Sequence, residues 1–499
     1  MRSLVAALAL TALSAAAQAP TDVRIALVIG NAAYAGAAAL DNPTKDAKAM
    51  GEVLRGLGFT VVEVRDGSKT QMSEAIAQVQ ANLKGKQAIG MLYYAGHGLQ
   101  LDWRNYMVPV DAKLRQAADV PAQTVELAQV IEAFKTAGNR MNIVVLDACR
   151  DNPFGGSASG KGLAQLDAPP GTFLAYATAP GNVAEDGDSK SGNGLYTQYL
   201  LEELKKPSAK IEDVFKRVRL NVRKQSQGRQ IPWESTSLED DFYFNSGLKP
   251  SQPLDDSVKE KSFALEKADW DKIKDSKSAD DFYAYLQKYP NGSISEQAQF
   301  AVDRLQKAAI VLGPNKQGIT ALAAGANRYK VGDSFTMELR DGFSNAVTSR
   351  NVYKVTAADD VRVILNGGEA ELDQMGGVVK NRLGTKDPAI LQVPADLAIG
   401  KKWRSTFVNT RDGQNSTNNY WDAKIVALEE LDLPIGKIMA FKVERNGRAV
   451  GRNGVTVQTG TSWIDPKTMM IVRSDLLFRN NGKITEYSSS VMVALQKSP

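Results

Sequence analysis

At 499 residues the chain is too long for one compact hydrophobic core, so we expect two or three domains. Its 43% hydrophobic and 23% charged residues are ordinary for globular protein, and a formal net charge of +5 gives no case for nucleic-acid binding. One Cys and one His are too few to build a zinc site, so no metal is predicted.

The first 19 residues have the pattern of a secretory signal peptide. Arg2 precedes a short apolar run at 4–17, and residues 17–19 (AQA) form an A-x-A cleavage site. The alternative is an uncleaved anchor, which the shortness of the run disfavours. No second long apolar run follows in the sequence. We therefore expect a periplasmic or secreted protein with no integral membrane span after signal removal.

Residues 22–245 alternate apolar runs with amphipathic segments. The pattern predicts strands at 24–29, 59–64, 88–94, 142–146, 172–176 and 242–244. It predicts helices at 43–57, 70–83, 125–137, 194–205 and 208–225. Continuous apolar strands that alternate with helices are typical of a mostly parallel sheet with helices on both faces. The predicted fold class of this domain is therefore α/β.

The rest of the chain divides into three parts. Residues 246–260 are polar and contain Pro, which indicates a linker, and residues 261–308 resemble one tetratricopeptide-like helical hairpin, interrupted at 290–292 (PNG). Residues 311–499 carry short apolar stretches between Gly and Asn turns, with Asn481-Gly482 typical of a β-hairpin. We expect a C-terminal antiparallel β domain of unknown role, either an open sheet or a sandwich.

The single His and the single Cys each follow a predicted buried strand. His97 comes after the strand at 88–94 and Cys149 after the strand at 142–146. Because the carboxyl ends of such strands line one crevice, the two side chains can meet there. An imidazole can take a thiol proton and return it to a leaving amine, and the amides of Gly98 and Cys149 are candidate oxyanion donors. Either residue alone is more simply explained as structural, but their joint placement favours catalysis.

Six segments carry a resemblance to a known family: 26–34 (ALVIGNAAY), 93–98 (YYAGHG), 105–112 (NYMVPVDA), 146–150 (LDACR), 175–181 (AYATAPG) and 230–244 (QIPWESTSLEDDFYF). Together they resemble caspase-like cysteine peptidases, and most closely the bacterial caspase-domain proteins and the paracaspase and metacaspase branches. The resemblance implies a caspase-hemoglobinase fold over 22–245, a dyad of Cys149 and His97, and peptide-bond hydrolysis. The run at Cys149 departs from the Q-A-C-R-G pattern of true caspases, which argues against Asp specificity.

The resemblance also implies a substrate pocket made of acids. In the paracaspase and metacaspase branches, acids at the positions of Asp46, Asp147 and Asp186 hold a basic substrate side chain. Glu185 competes with Asp186 for the third role. Carboxylates suit a guanidinium by charge and by forked geometry, so we expect cleavage after Arg, with Lys as an open alternative. The structural alternative is that each acid is a helix cap or a solvated surface charge.

Residues 155–170 are rich in Gly, Ser and Pro, which predicts an exposed loop. The family often places its activation cleavage after the nucleophile, so self-cleavage at Lys161 is a hypothesis. No cofactor is predicted. The resemblance leaves calcium activation open, but the acidic stretch at 185–188 is more simply explained as a solvated loop.

Three functions compete. The leading one is an exported cysteine endopeptidase that cleaves protein or peptide substrates after basic residues. The second is a non-catalytic binding or scaffold protein of the cell envelope that keeps the caspase fold, which the intact dyad disfavours. The third is a cysteine hydrolase of the gingipain or legumain kind, which Asp46 and the YYAGHG segment disfavour. The sequence carries no signal for the oligomeric state.

Overall fold

A computed structural model describes residues 22–102, 104–149, 163, 166, 168–178, 192–207, 210–245, 256–306, 328–411, 415–452 and 454–498. The predicted signal peptide, Lys161, Glu185 and Asp186 lie outside these residues. Among the helices that the structure describes, none combines the length and apolar character needed to cross a membrane. In the same residues, no group of three or more His, Cys, Asp or Glu side chains could hold a metal ion.

The N-terminal domain is built on one sheet. Its strands are β1 (Arg24–Gly30), β2 (Phe59–Arg65), β3 (Ile89–Leu101), β4 (Arg104–Met107), β5 (Val125–Glu126), β6 (Met141–Cys149), β7 (Thr172–Tyr176) and β8 (Trp233–Thr236). Its helices are α1 (Pro43–Gly56), α2 (Lys69–Leu83), α3 (Asp119–Gln123), α4 (Leu127–Thr136), α5 (Leu195–Leu204) and α6 (Ile211–Gln225). The strand order is β2-β1-β3-β6-β7-β8, with β4 paired to β3 and β5 paired to β4. Strands β2 to β7 of that order are parallel and β8 is antiparallel, which confirms the predicted α/β class.

Two apolar cores cover the faces of this sheet. On one face Val28, Tyr93 and Val145 pack with residues of α1, α5 and α6. On the other face the alternate strand residues, such as Leu92 and Val144, pack with residues of α2 and α4. Burial on both faces explains why β1 and β6 are nearly continuous apolar runs in the sequence. Because side chains alternate along a strand, Asp147 lies on the same face as Val145, toward α1 and α5.

The predicted strand at 242–244 is wrong. An isolated bridge joins Lys210 to Tyr243, and the rings of Phe242 and Phe244 lie in the core with their centroids 4.9 Å apart. The edge of the sheet is instead β8, with the sequence WEST, in which Trp233 and Ser235 are buried. A four-residue strand with one apolar side chain has too weak a pattern to stand out in a sequence.

Residues 256–306 form three helices, where the sequence pattern suggests one hairpin. They are α7 (Asp256–Ile273), α8 (Ala279–Lys288) and α9 (Ser295–Gln306). The polar stretch 274–278 ends α7 before α8, and α7 begins inside the predicted linker. Side chains of all three helices share one apolar core, to which Leu220 of α6 also contributes. The helical unit is therefore joined to the N-terminal domain through α6.

The C-terminal part is a closed antiparallel barrel. Its strands are β9 (Ser334–Asp341), β10 (Val347–Ala358), β11 (Arg362–Leu365), β12 (Ala370–Asp373), β13 (Val378–Asn381), β14 (Gly384–Ile390), β15 (Lys402–Arg411), β16 (Asn415–Leu433), β17 (Gly436–Gly451), β18 (Gly454–Asp465), β19 (Met470–Asn480) and β20 (Lys483–Gln496). The predicted antiparallel β structure is confirmed. The open sheet or sandwich is wrong, because β9 pairs with both β10 and β20 and so closes the ring.

Charged side chains meet where the N-terminal domain, the helical unit and the barrel come together. We call this set the junction cluster: Lys216 and Arg219 of α6, Glu234 of β8, Glu296 of α9, and Asp396 and Lys401 from the segment between β14 and β15. The Arg219 guanidinium lies 2.6 Å from the Glu234 carboxylate, and the Lys401 amine lies 3.2 Å from Glu296. Three cations thus face three anions across the junction.

Candidate active site

His97 and Cys149 lie side by side on neighbouring parallel strands. The register of β3 and β6 pairs Ala95 with Asp147 and then His97 with Cys149. Neighbouring strands are about 4.8 Å apart, so the two backbones are adjacent where β6 ends. Gly98 lies one residue beyond His97 and opens the antiparallel pairing of β3 with β4. The structure therefore brings the two predicted catalytic residues and both predicted oxyanion donors together at the carboxyl end of β6.

The His97 imidazole is oriented by the loop that follows β1. Its Nε2 lies 2.7 Å from the carbonyl oxygen of Ala38, and its ring centroid lies 4.5 Å from the ring of Tyr34. A carbonyl oxygen can only accept a hydrogen bond, so Nε2 carries the proton. This tautomer leaves Nδ1 unprotonated, and Nδ1 is therefore the ring atom that can act as a base.

The backbone of His97 is held as well. Its N–H donates to the hydroxyl of Tyr34 at 2.7 Å, and its carbonyl oxygen accepts from the hydroxyl of Tyr94 at 2.6 Å. The preceding Gly96 has φ of +148°, and a Cβ there would lie 2.5 Å from the Tyr34 hydroxyl. Glycine at this position is thus required both by the backbone conformation and by the close approach of Tyr34.

Two of the three predicted substrate-binding acids meet at the start of α5. Asp46 of α1 is 2% exposed and accepts hydrogen bonds from the Asn193 side chain at 2.7 Å and from the Gly194 N–H at 3.1 Å. Asp147 accepts from the Thr197 hydroxyl at 2.6 Å. A Cβ on Gly194 would lie 3.3 Å from a carboxylate oxygen of Asp46 and 3.6 Å from one of Asp147. The two carboxylates therefore flank the same backbone position.

The acid pair has unusual electrostatics. Burial and the neighbouring charge of Asp147 raise the pKa of Asp46 to about 7, against the hydrogen bonds from Asn193 and Gly194, which lower it. Burial raises the pKa of Tyr93 well above its usual range, and the carboxylates of Asp46 and Asp147 add to the shift. Two carboxylates held close together out of water each raise the free energy needed to ionise the other, and a bound cation lowers that free energy. The pair is thus suited to hold a basic group.

Several residues at this end of the sheet were not predicted from the sequence. They are Tyr34, Ala38, Asn193 and Thr197. Tyr34 ends the segment ALVIGNAAY, so the resemblance pointed to its neighbourhood without a role. Asn193 comes directly before the predicted helix at 194–205 and Gly194 is its first residue, where helix-capping residues are expected. Ala38 acts through its backbone carbonyl, which gives no signal in a sequence.

Comparison with known proteins gives a family resemblance over the N-terminal domain. Residues 23–243 match the caspase domain family. Over 183 residues the chain is 30% identical to the mucosa-associated lymphoid tissue lymphoma translocation protein 1 of Homo sapiens and to its Mus musculus homolog. These matches cover 36% of this chain and 22% and 21% of those proteins, so the chain spans about a fifth of their length.

Among solved structures, the Drosophila initiator caspase Dronc is similar with a TM-score of 0.33 and 15% identity. That match covers 45% of this chain and 83% of the Dronc chain. The resemblance to caspase-like cysteine peptidases predicted from the sequence motifs is confirmed, and it extends over residues 23–243.

Proposed function

We propose that the caspase-like domain formed by residues 23–243 is an active cysteine endopeptidase that cleaves after Arg, with Lys as the alternative basic residue. One observation carries the proposal: the register of β3 and β6 pairs His97 with Cys149 at the carboxyl end of β6, where Asp147 also lies. A nucleophile, a base and an acidic pocket wall thus come from two adjacent strands. Protein or peptide chains are the substrate class that this arrangement suits.

The proposed chemistry begins with proton transfer from the Cys149 thiol to Nδ1 of His97. The thiolate attacks the scissile carbonyl carbon, and the amides of Gly98 and Cys149 donate to the resulting oxyanion. When the carbon–nitrogen bond breaks, the proton on Nδ1 passes to the leaving amine. A water molecule then gives a proton to Nδ1 and attacks the carbonyl carbon of the acyl-thioester. The carbon–sulfur bond breaks to release the acid product, and the proton on Nδ1 returns to the Cys149 thiolate.

The groups around His97 support this role. The Ala38 carbonyl oxygen accepts the proton on Nε2 at 2.7 Å and so holds the tautomer in which Nδ1 is the base. When Nδ1 becomes protonated, the same carbonyl dipole stabilises the imidazolium. The Tyr34 ring packs on the imidazole, and the Tyr34 hydroxyl restrains the backbone beneath it. A base that keeps one orientation reduces the entropy lost in the transition state.

Specificity for Arg follows from the acid pair. A guanidinium presents several N–H donors in a fixed fork, and carboxylates are its preferred partners. Asp46 and Asp147 supply two such groups beside the dyad. Asp186, or Glu185 in its place, stays the predicted third acid. An Asp side chain of a substrate would instead be repelled by this pocket.

Export to the periplasm or the medium is also part of the proposal, and it is based on the signal-like residues 1–19. Exported proteins usually pair their thiols or lack them, and an unpaired thiol in an oxidising compartment is open to oxidation. A catalytic use for the single Cys explains why it is present. The proposed steps use protein groups and water, and self-cleavage at Lys161 stays a prediction.

Hydrolysis of a peptidyl-Arg reporter by the full chain tests the proposal. We expect turnover by the wild type and a loss of about a thousandfold or more in Cys149→Ala and in His97→Ala, since the two residues act as a unit. Matched peptidyl-Lys and peptidyl-Asp reporters are the controls for specificity. A preference for the Asp reporter would overturn the pocket. Folded protein that cleaves none of the reporters would favour the non-catalytic binding protein.

A further inference from the structure

We propose that Thr197, in the first turn of α5, is a positioning residue that sets the orientation of the Asp147 carboxylate and thereby the preference for Arg over Lys. The inference rests on the proposed function, which gives the acid pair its substrate. Thr197 has no exposed surface, and it lies between Asp147 and Tyr93, which come from two different strands. Its place is thus inside the wall of the pocket.

The hydrogen bonds of Thr197 run in one direction. Its Oγ1 lies 2.6 Å from Oδ2 of Asp147 and 2.5 Å from the Tyr93 hydroxyl oxygen. An ionised carboxylate can only accept, so Thr197 donates its single hydroxyl proton to Asp147. The Tyr93 hydroxyl must then donate to Thr197. The result is an ordered chain from β3 through α5 to β6.

Tyr93 keeps this chain in place. It is fully buried, and burial together with the two nearby carboxylates raises the pKa of its phenol, so the phenol retains its proton. A phenol that cannot ionise stays a donor, and Thr197 stays a donor to Asp147. Hydrogen bonds to charged groups are about twice as strong as neutral ones, so this contact restrains the carboxylate well.

The residues at the start of α5 position both acids. The amide of Asn193 and the N–H of Gly194 hold Asp46, and Thr197, three residues further, holds Asp147. The spacing of the two carboxylates is therefore set by the start of α5, where the helix dipole also favours negative charge. A forked guanidinium needs its acceptor oxygens at fixed positions, whereas an ammonium is a compact charge with rotatable donors. Loss of the Thr197 hydroxyl should therefore harm Arg recognition more than Lys recognition.

Steady-state kinetics of Thr197→Val in the full chain test this inference, because valine keeps the shape and removes the hydroxyl. For the peptidyl-Arg reporter we expect KM to rise about tenfold or more, as for a lost hydrogen bond to a charged group, with a smaller change in kcat. For the peptidyl-Lys reporter the rise should be smaller, so the Arg-to-Lys ratio falls. Thr197→Ser, which restores the hydroxyl, should return the ratio toward the wild-type value.

Tyr93→Phe is the second test, because it removes the donor to Thr197 and leaves Thr197 itself intact. The Arg-to-Lys ratio should shift in the same direction by a smaller factor, and this readout stands even if Thr197→Val fails to fold. Equal losses on both reporters, or an unchanged ratio in Thr197→Val and Tyr93→Phe, would overturn the inference alone. A wild type that does not cleave the Arg reporter would overturn the proposed function and the inference with it.

Discussion

Some residues around His97 act through the backbone or through the absence of a side chain. Ala38 contributes a carbonyl oxygen that contacts Nε2 of His97, and Gly96 contributes the absence of a side chain beside the Tyr34 hydroxyl. The Tyr34 hydroxyl accepts the His97 N–H and also occupies the space that a Cβ on Gly96 would need. The position of His97 therefore depends on backbone contacts as well as on side-chain packing.

Gly96→Ala tests this dependence. Alanine is strained at φ of +148°, and its Cβ would lie 2.5 Å from the Tyr34 hydroxyl, so the free energy of unfolding should fall by about 1–3 kcal/mol. Peptidase activity should fall further, because Tyr34 must move away from His97. Urea unfolding and reporter hydrolysis measure the two effects. Gly56→Ala at the end of α1, where no atom lies within 4 Å of the new Cβ, is the control; it should leave activity unchanged and should not lower the free energy of unfolding.

The pKa of Asp46 leads to a prediction about pH. Since burial and Asp147 raise this pKa to about 7, Asp46 loses its proton as the pH rises through neutrality. A cationic side chain binds better to the ionised form, so affinity for an Arg peptide should rise by up to roughly tenfold between about pH 6 and pH 8. Peptide binding to Cys149→Ala, measured by fluorescence anisotropy, separates this effect from catalysis. The same titration with an added Asp46→Asn substitution should be flat, and an equal rise there would contradict the assignment.

The sequence was sufficient to single out some of these residues as candidates and insufficient for others. Cys149 and His97 stand out because each is the single residue of its type at a strand end, and Asp46 and Asp147 came from the resemblance. Thr197 could not be recognised, because its role depends on α5 packing over the sheet between residues 50 and 104 positions away in the chain. Contacts of this kind appear only when the fold is known.

At the scale of elements, α6 connects the N-terminal domain to the helical unit through two ion pairs of contrasting burial. Arg223 is 1% exposed and pairs with Asp303 of α9, while the adjacent Lys224 pairs with Asp280 of α8 at the surface. Gln299 donates a hydrogen bond to Asp303, and Arg223 donates one to the side-chain oxygen of Gln306. Removing one partner of a buried pair leaves the other charge buried without its partner, which lowers the free energy of unfolding. An exposed pair matters less, because water screens it.

The two pairs give a matched comparison. Asp303→Asn should lower the free energy of unfolding by about 3 kcal/mol or more, because Arg223 would remain charged inside the protein. Asp280→Asn removes the same charge from the partner of Lys224, which lies one residue along α6 from Arg223, and should lower the free energy of unfolding by about 1 kcal/mol or less. Urea unfolding of both variants measures the difference. Equal losses in the two variants would contradict the contrast in burial.

Element prediction succeeded where the local pattern was strong. β7 is observed at the predicted residues, and the Asn481-Gly482 hairpin turn is observed with the positive φ angles that such a turn requires. It failed for β8, whose Trp233 is buried by long-range packing and whose other residues are polar. It also failed to foresee the break between α7 and α8, because the polar stretch 274–278 contains neither Gly nor Pro.

At the scale of the whole molecule, the barrel part of the chain covers the edge strand of the N-terminal sheet. A Cβ on Gly400 would lie 1.9 Å from the Thr236 carbonyl oxygen, and Ala398 belongs to the apolar core of the sheet. The Lys402 amine donates to the Leu238 carbonyl oxygen at 2.9 Å. An uncovered edge strand is a site for unwanted pairing, so the barrel protects β8. Closure of twelve strands depends on the pairing of β9 with β20, more than 140 residues apart, which no local pattern reveals.

The junction cluster should make the domains unfold together. Asp396→Asn leaves the part-buried amine of Lys401 with one fewer carboxylate, so the free energy of unfolding should fall by about 1–3 kcal/mol. In urea titrations, loss of peptidase activity and loss of the circular dichroism signal should coincide and shift together. Asp432→Asn, an exposed barrel position, is the control and should shift neither. Activity that survives after the barrel has unfolded would contradict the coupling.

Covalent labelling tests the central claim most directly, because the chain has one Cys and therefore one thiol that can react. The measurement is the intact mass after incubation with a peptidyl-Arg chloromethyl ketone and with its peptidyl-Asp counterpart. We predict one adduct on Cys149 with the Arg probe, little with the Asp probe, and strongly slowed labelling in His97→Ala. Labelling that is equally fast with both probes, or unchanged by the loss of His97, would contradict a catalytic dyad beside an acidic pocket.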